Sequence, residues 1–206
     1  MILSRGLAAL ILFYSTLFGS YFYKDEVVFI DYVYHDIDTI GKELQEATGV
    51  GLYVVALKEL PKNTTIVQME ESLMHELKEP AVLLTISEYD KKIDILARPK
   101  ALYDLFDKEQ VLSPFPNSGT ILPILTMKAK SATTAEKFAA AIQNGYTDIA
   151  EQIADAKGVT LKSIPGNANK EVFNVLRVLF YGFILYALYL FIRKRYAQKK
   201  RKIDGE

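Results

Sequence analysis

The sequence predicts an α/β fold, a three-layer α/β/α sandwich around a mixed sheet, with a C-terminal transmembrane helix. Three observations carry this. Helical and strand-like apolar patterns alternate between residues 37 and 97, the order from which sheets with covering helices are built. The two strand-like runs, Gly51–Leu57 (GLYVVAL) and Ala81–Ser87 (AVLLTIS), are almost continuously apolar, as expected of strands covered on both faces. Val172–Ile192 holds a single charged residue, Arg177, and a helix of that length crosses about 30 Å, the thickness of a bilayer core.

Taken in order, Ile37–Thr48 spaces Ile37, Ile40, Leu44 and Ala47 at helical intervals, with Asp36 as its expected cap and Gly49 as its stop. The strand Gly51–Leu57 follows and closes at Leu60-Pro61. The turn Lys62–Thr65 leads into a helix over Ile66–Lys78, with Ile66, Met69, Leu73 and Leu77 on one face. Pro80 marks the boundary before the second strand, Ala81–Ser87. A turn at Glu88–Lys91 returns the chain into Lys92–Ala97, where Ile93 and Ile95 alternate with Lys92, Asp94 and Leu96, the pattern of a strand nearer an edge. Beyond Arg98-Pro99, short helices are expected at Ala101–Phe106 and from Glu109. Ser113–Gly119 (SPFPNSG) is loop, and Pro123 argues against a central strand over Ile121–Met127. Thr133–Ala156 is the strongest helix, with Phe138, Ala141, Ile142, Ile149 and Ile153 as its stripe and Thr133 or Thr134 capping beside Glu136.

The organisation expected is therefore a signal peptide or uncleaved signal anchor over residues 1–23, a domain over 30–160, and a linker over 161–171. A span over 172–192 and a basic tail over 193–206 complete it. Arg5 before the charge-free run Gly6–Tyr23 has the layout of a secretory signal. Positive charge at Arg5 and at Arg193, Lys194, Arg195, Lys199, Lys200, Arg201 and Lys202 belongs on the cytoplasmic side. That leaves the domain extracytoplasmic, periplasmic in a Gram-negative host, on a single-pass or two-pass chain whose lipid contact is 172–192. Tyr181, Tyr186 and Tyr189 on that span suit helix association and hence a homo-oligomer.

The formal charge of the 206-residue chain is zero, but residues 25–170 carry 22 acidic and 15 basic side chains. An acidic domain has no basic face to neutralise phosphates, so nucleic acid is not expected as a partner. The chain has no cysteine, which removes disulfides, thiolate nucleophiles and thiolate–metal sites together. With two histidines, His35 and His75, it cannot build a metal centre from histidines alone. No glycine-rich phosphate cradle follows the first strand.

Asp104, Asp107 and Glu109 form the densest acidic cluster of the loop-rich half, and Asp90 is placed to approach from the turn. Such hard oxygen ligands suit Ca²⁺ or Mg²⁺, although Lys100 and Lys108 stand beside them. Phosphoryl hydrolysis would draw its positive charge from Arg98 and its carboxylate from Asp104 or Asp107. The Pro114-Phe115-Pro116 tripeptide holds an aromatic between two rigid residues. It is read either as a docking contact for a membrane or envelope protein or as a core plug.

Thr48-Gly49 before the first strand, the Val82-Leu83-Leu84 strand and the Asp90-Lys91-Lys92-Ile93 turn resemble the TPM domain family, also called TLP18.3/Psb32/MOLO-1-like, over about residues 33–156. The resemblance implies one extracytoplasmic α/β/α domain, often with a C-terminal membrane helix, serving membrane-complex maintenance or receptor assembly. Some relatives are calcium binders or acid phosphatases. The chain departs from the family pattern at Lys78-Glu79-Pro80, where an Asn/Asp-Gly element is usual. It departs again at Arg98–Leu102, where a Gly-rich segment with a glutamate is usual; Asp107 is the best match to the acidic residue that follows. The expected role is thus a membrane-tethered scaffold acting in assembly or maintenance, rather than an enzyme. The alternative is a divalent-metal-dependent phosphatase of the TPM type.

Overall fold

A computed structural model of the chain describes residues 20–127, 132–164, 179–184, 186, 188 and 189. The chain divides into two units, Met1–Ile164 and Pro165–Glu206. In the first, four strands form a mixed sheet in the order β1-β2-β3-β4: β1 (Phe22–Asp25), β2 (Gly51–Leu57), β3 (Ala81–Ser87) and β4 (Lys92–Arg98). The first three are parallel and β4 pairs antiparallel with β3. The expected α/β class with a mixed sheet is what the chain adopts, and the two continuous apolar runs are its inner strands.

Two crossover helices connect the parallel strands, α1 (Asp31–Thr48) and α2 (Ile66–Met74). Helix α1 buries Val33, Ile37, Ile40 and Leu44 against Leu52, Val54 and Ala56 of β2 and Val82, Leu84 and Ile86 of β3. Helix α2 lies over the other face, where Met69 and Met74 meet Val55, Leu57, Ala81 and Leu83. Period two along each strand sends alternate side chains to these two cores. Because the crossovers step the same way along the sheet but lie on opposite faces, they have opposite hands. One therefore takes the sense that β-α-β units seldom adopt.

After β4 come a 3₁₀ helix (Lys100–Leu105), α3 (Lys108–Val111), α4 (Leu122–Thr126) and the long α5 (Thr134–Ala156). Helix α5 opens with the expected capping box between Thr133 and Glu136 and packs beside α1 in the larger core. Tyr146 is fully buried there and donates to the Leu52 carbonyl at 2.8 Å. Gly145 serves this packing, since a Cβ would lie 2.3 Å from Ile121 Cδ1.

Several boundaries differ from the sequence reading, among them the expected linker 161–171, whose Leu161 and Ile164 are buried in the larger core. Helix α1 begins at Asp31 with Ile30 at its N-cap, and Asp36 instead accepts from Gln143 Nε2 at 2.9 Å. Helix α2 stops at Met74. Residues 21–23, read as the end of the signal segment, belong to the folded domain: Tyr21 and Phe22 are buried, and Tyr21 stacks on Tyr53.

Both ends of the domain leave beside one stretch of α1. Ser20 Oγ donates to Asp38 at 3.1 Å, while the amides of Lys162 and Ser163 donate to Glu43 at 2.7 and 2.8 Å. Five helical residues separate those acceptors by about 7.5 Å along the axis.

In the second unit, residues 179–184, 186, 188 and 189 are helical. Tyr181, Tyr186 and Tyr189 are exposed on it. The rest of the expected span 172–192, the tail 193–206 and residues 1–19 lie outside the described residues. Among those described, no helix is long and apolar enough to cross a membrane.

Candidate functional site

The segment that leaves β4 folds back along that strand's free edge. Tyr103 places its hydroxyl against β4, donating to the Ile95 carbonyl at 3.2 Å and accepting from the Ala97 amide at 3.1 Å. Lys108 Nζ donates to the same carbonyl at 2.7 Å and pairs with Asp94 at 2.5 Å. It stands 5.7 Å from the centroid of the Tyr103 ring, within range of a cation–π contact. Asp94 also accepts from the Ile95 amide at 2.8 Å. Side chains thus occupy the hydrogen-bonding groups of Ile95, which would otherwise template another strand. Between Tyr103 and Glu109 lies an open cleft of about 480 Å³.

Behind Asp94 the sheet carries an unusual group. Asp94 opposes Thr85 across the β3/β4 pair, on the face covered by α2, and α2 presents Glu70 to that face. Glu70 and Thr85 are both fully buried. Neither the Glu70 carboxyl oxygens nor Thr85 Oγ1 has a hydrogen-bond partner among the described residues. Burial pushes the Glu70 carboxyl up to about 8, with the Asp94 charge adding to it; the Lys108 charge pulls the other way without overcoming them. The ion pair between Lys108 and Asp94 leaves Glu70 as the uncompensated acid.

The loop beyond α3 is held from within and from below. Ser113 and Ser118 hydroxyls meet at 2.8 Å, and the Ser118 and Gly119 amides donate to the Phe115 carbonyl at 3.1 and 2.8 Å. Gly119 must lack a side chain, because a Cβ would lie 1.7 Å from the Ser113 carbonyl oxygen. Beneath the loop, Gln110 Nε2 donates to the Ser118 carbonyl at 2.6 Å and to Asp148 on α5 at 3.2 Å. Gln152 links Asp148 to Gln110, and Thr120 Oγ1 donates to Asp148 at 3.0 Å. Phe115 projects from this frame and is 69 % exposed, so the loop displays its aromatic rather than burying it.

The sequence-predicted acids fall into two places. Asp104, Asp107 and Glu109 line the cleft together with Lys108. Asp107 caps α3, its carboxylate accepting from the Gln110 amide at 2.9 Å, while its own amide donates to Gln152. Asp90 instead braces the β3–β4 turn against the β2–α2 loop, accepting from Ser87 Oγ at 2.5 Å and the Leu60 amide at 2.7 Å. The Ser87 bond first, and the Leu60 bond after it, hold its carboxyl below the usual range. Arg98 ends β4 and is not among the cleft's lining residues. Among the described residues no three His, Cys, Asp or Glu side chains gather where they could hold a metal ion.

Glu70 escaped the sequence reading although it left a signal. It lies four residues after Ile66 and four before Met74, inside the buried stripe of α2. A carboxylate at such a position is a candidate for perturbed ionisation. In the sequence Lys108 is only a neighbour of acids. Its true partner, Asp94, lies fourteen residues back on β4.

No family model matches the chain, and no curated protein matches it.

Proposed function

We propose that this chain is a membrane-tethered, extracytoplasmic scaffold whose domain engages a membrane or envelope protein through the 113–119 loop. In this reading the sheet and its covering helices form a three-layer α/β/α sandwich of the TPM type, divergent at the segments noted above. The observation that carries the proposal is Phe115, an exposed aromatic on a loop already fixed by its own hydrogen bonds. Aromatic anchors dominate binding energy at interfaces, and a loop ordered before binding loses less conformational entropy when it docks. Entry and exit of the chain beside one stretch of α1 suit flanking segments that enter one bilayer. The phosphatase alternative draws less support, since Asp107 already uses its carboxylate as a helix cap.

The test is affinity purification of the full-length protein from its native membranes in mild detergent, beside a Phe115→Ala variant. A stoichiometric membrane protein should co-purify, and the variant should recover at least about tenfold less of it, as truncating an anchor residue does. Recovery of the chain alone, or equal recovery by the variant, would overturn the proposal.

A further inference from the structure

We propose that Glu70 keeps a proton in the core because Lys108 is committed to Asp94, and that Lys108 is the group that moves when this proton leaves. The footing of residues 103–111 on β4 then depends on pH. Geometry supplies the argument. Carboxyl groups from α2 and β4 lie on the face that carries Thr85 of β3, and the one ammonium group there, Lys108 of α3, is paired with Asp94 alone. Lys108 reaches Asp94 at 2.5 Å, so its charge is committed to that carboxyl group. Glu70, fully buried with both oxygens unpartnered, stays neutral, because an uncompensated carboxylate in a core is far costlier than its protonated form. A neutral carboxyl has a proton to donate, and the polar groups on the sheet face that α2 covers are Asp94 and Thr85, opposite each other across the β3/β4 pair.

The groups that act on Glu70 are therefore Asp94 of β4, Thr85 of β3 and Lys108, while β2 faces α2 with the apolar Val55 and Leu57. Burial and Asp94 raise its carboxyl while Lys108 opposes them, so the proton leaves within a reachable pH range. Once it has left, two carboxylates compete for one cation. Lys108 is free to respond: its side chain is partly exposed at 32 %, and its stem is flexible. Shifting toward Glu70 draws Nζ away from the Ile95 carbonyl, the contact that ties α3 to the edge of β4. The inference does not depend on the scaffold reading.

The experiment is an NMR titration of the full-length protein in detergent micelles between pH 5 and 9.5, with ¹³C-carboxyl glutamate and ¹⁵N labels. One glutamate carboxyl resonance should titrate near pH 8 and be missing in Glu70→Gln. The Lys108 and Ile95 amides should shift with the same midpoint. Asp94→Asn should lower that midpoint and Lys108→Met should raise it, which keeps the test open even where Glu70→Gln folds poorly. Titration of every glutamate below pH 6 would overturn the proposal. So would a Glu70 titration that leaves the Lys108 amide unmoved.

Discussion

Replacing Glu70 by glutamine should remove a pH-dependent loss of stability that the native protein carries between pH 5 and pH 8. The folded-state value near 8 lies above the ordinary 4.5 of a solvated glutamate. Between those values the native state keeps a proton that the unfolded chain has released, so stability falls as pH rises. The fall begins near 4.5 and is complete above about 8. At 1.36 kcal/mol per pH unit the penalty is about 3 kcal/mol at pH 7 and rises to between about 4 and 5 kcal/mol at alkaline pH. Between pH 5 and pH 8 alone, it changes by about 3 to 4 kcal/mol.

That window isolates Glu70. Asp25, Glu26, Glu43, Asp90 and Glu136 are all held below their ordinary values. A lowered carboxylate contributes stability that is lost as pH falls through its folded value and is fully present above the unfolded one, near 4. Tyr21, raised by burial to about 12, and Tyr146, raised well above its ordinary value by burial, ionise above the window. Urea unfolding followed by far-ultraviolet circular dichroism at pH 5, 6, 7 and 8 reads the slope directly. The glutamine amide brings its own unpaired groups, which cost about 1–3 kcal/mol, so the slope decides the matter and the absolute midpoint does not. A Glu70→Gln profile parallel to that of the native protein across this range would refute the reasoning.

Three further outcomes are expected. Gly119→Ala should force the 113–119 loop apart at the Ser113 carbonyl, destabilising the domain by about 1–3 kcal/mol and weakening partner capture alongside Phe115→Ala; both are read by urea midpoint and pull-down. Asp25→Ala removes an acceptor that serves the amides of Val27, Val28 and Phe29 and the hydroxyl of Tyr34, and Phe29 holds a positive φ of 49° within that turn. A loss of about 2–4 kcal/mol is expected, because four donors, three of them part-buried, lose a charged acceptor at once, and calorimetry measures it. Removing residues 1–19 should leave the domain folded. Removing 1–25 deletes β1 with the buried Tyr21 and Phe22, worth about 3–6 kcal/mol of apolar burial, which limited proteolysis will show as rapid digestion.

Local patterns carried most of the sheet and its helices. The runs at 51–57 and 81–87 declared strands buried on both faces, and Thr133 with Glu136 marked the start of α5 by a capping box that the structure contains. Alternation in Lys92–Ala97 placed Asp94 and Leu96 on one face and Ile93 and Ile95 on the other, which is how the two cores divide them. What local patterns missed depends on distant partners. β1 is four residues long with exposed Tyr23 and Lys24, and it becomes a strand only because β2, nearly thirty residues on, offers a parallel edge. Asp36 had the right chemistry for a cap, but Val33 extended the apolar stripe of α1 one turn upstream and moved the start to Asp31.

The cleft shows the same division more sharply. Its acids were legible as a cluster because Asp104, Asp107 and Glu109 are neighbours in the chain, yet their density says nothing of their employment. Asp107 is a cap and Asp90 a turn brace, and each role follows from an amide that folding brings to it. The chemically unusual acid is Glu70, whose character comes first from burial and then from the charge of Asp94, which the cross-strand register sets opposite Thr85. A helix position that looks merely half-apolar acquires a raised carboxyl because the fold buries it and the sheet behind it supplies a second carboxylate. The most informative residue of this fold is thus an acid standing where the helical pattern calls for an apolar side chain, and its meaning lies in the three residues that surround it.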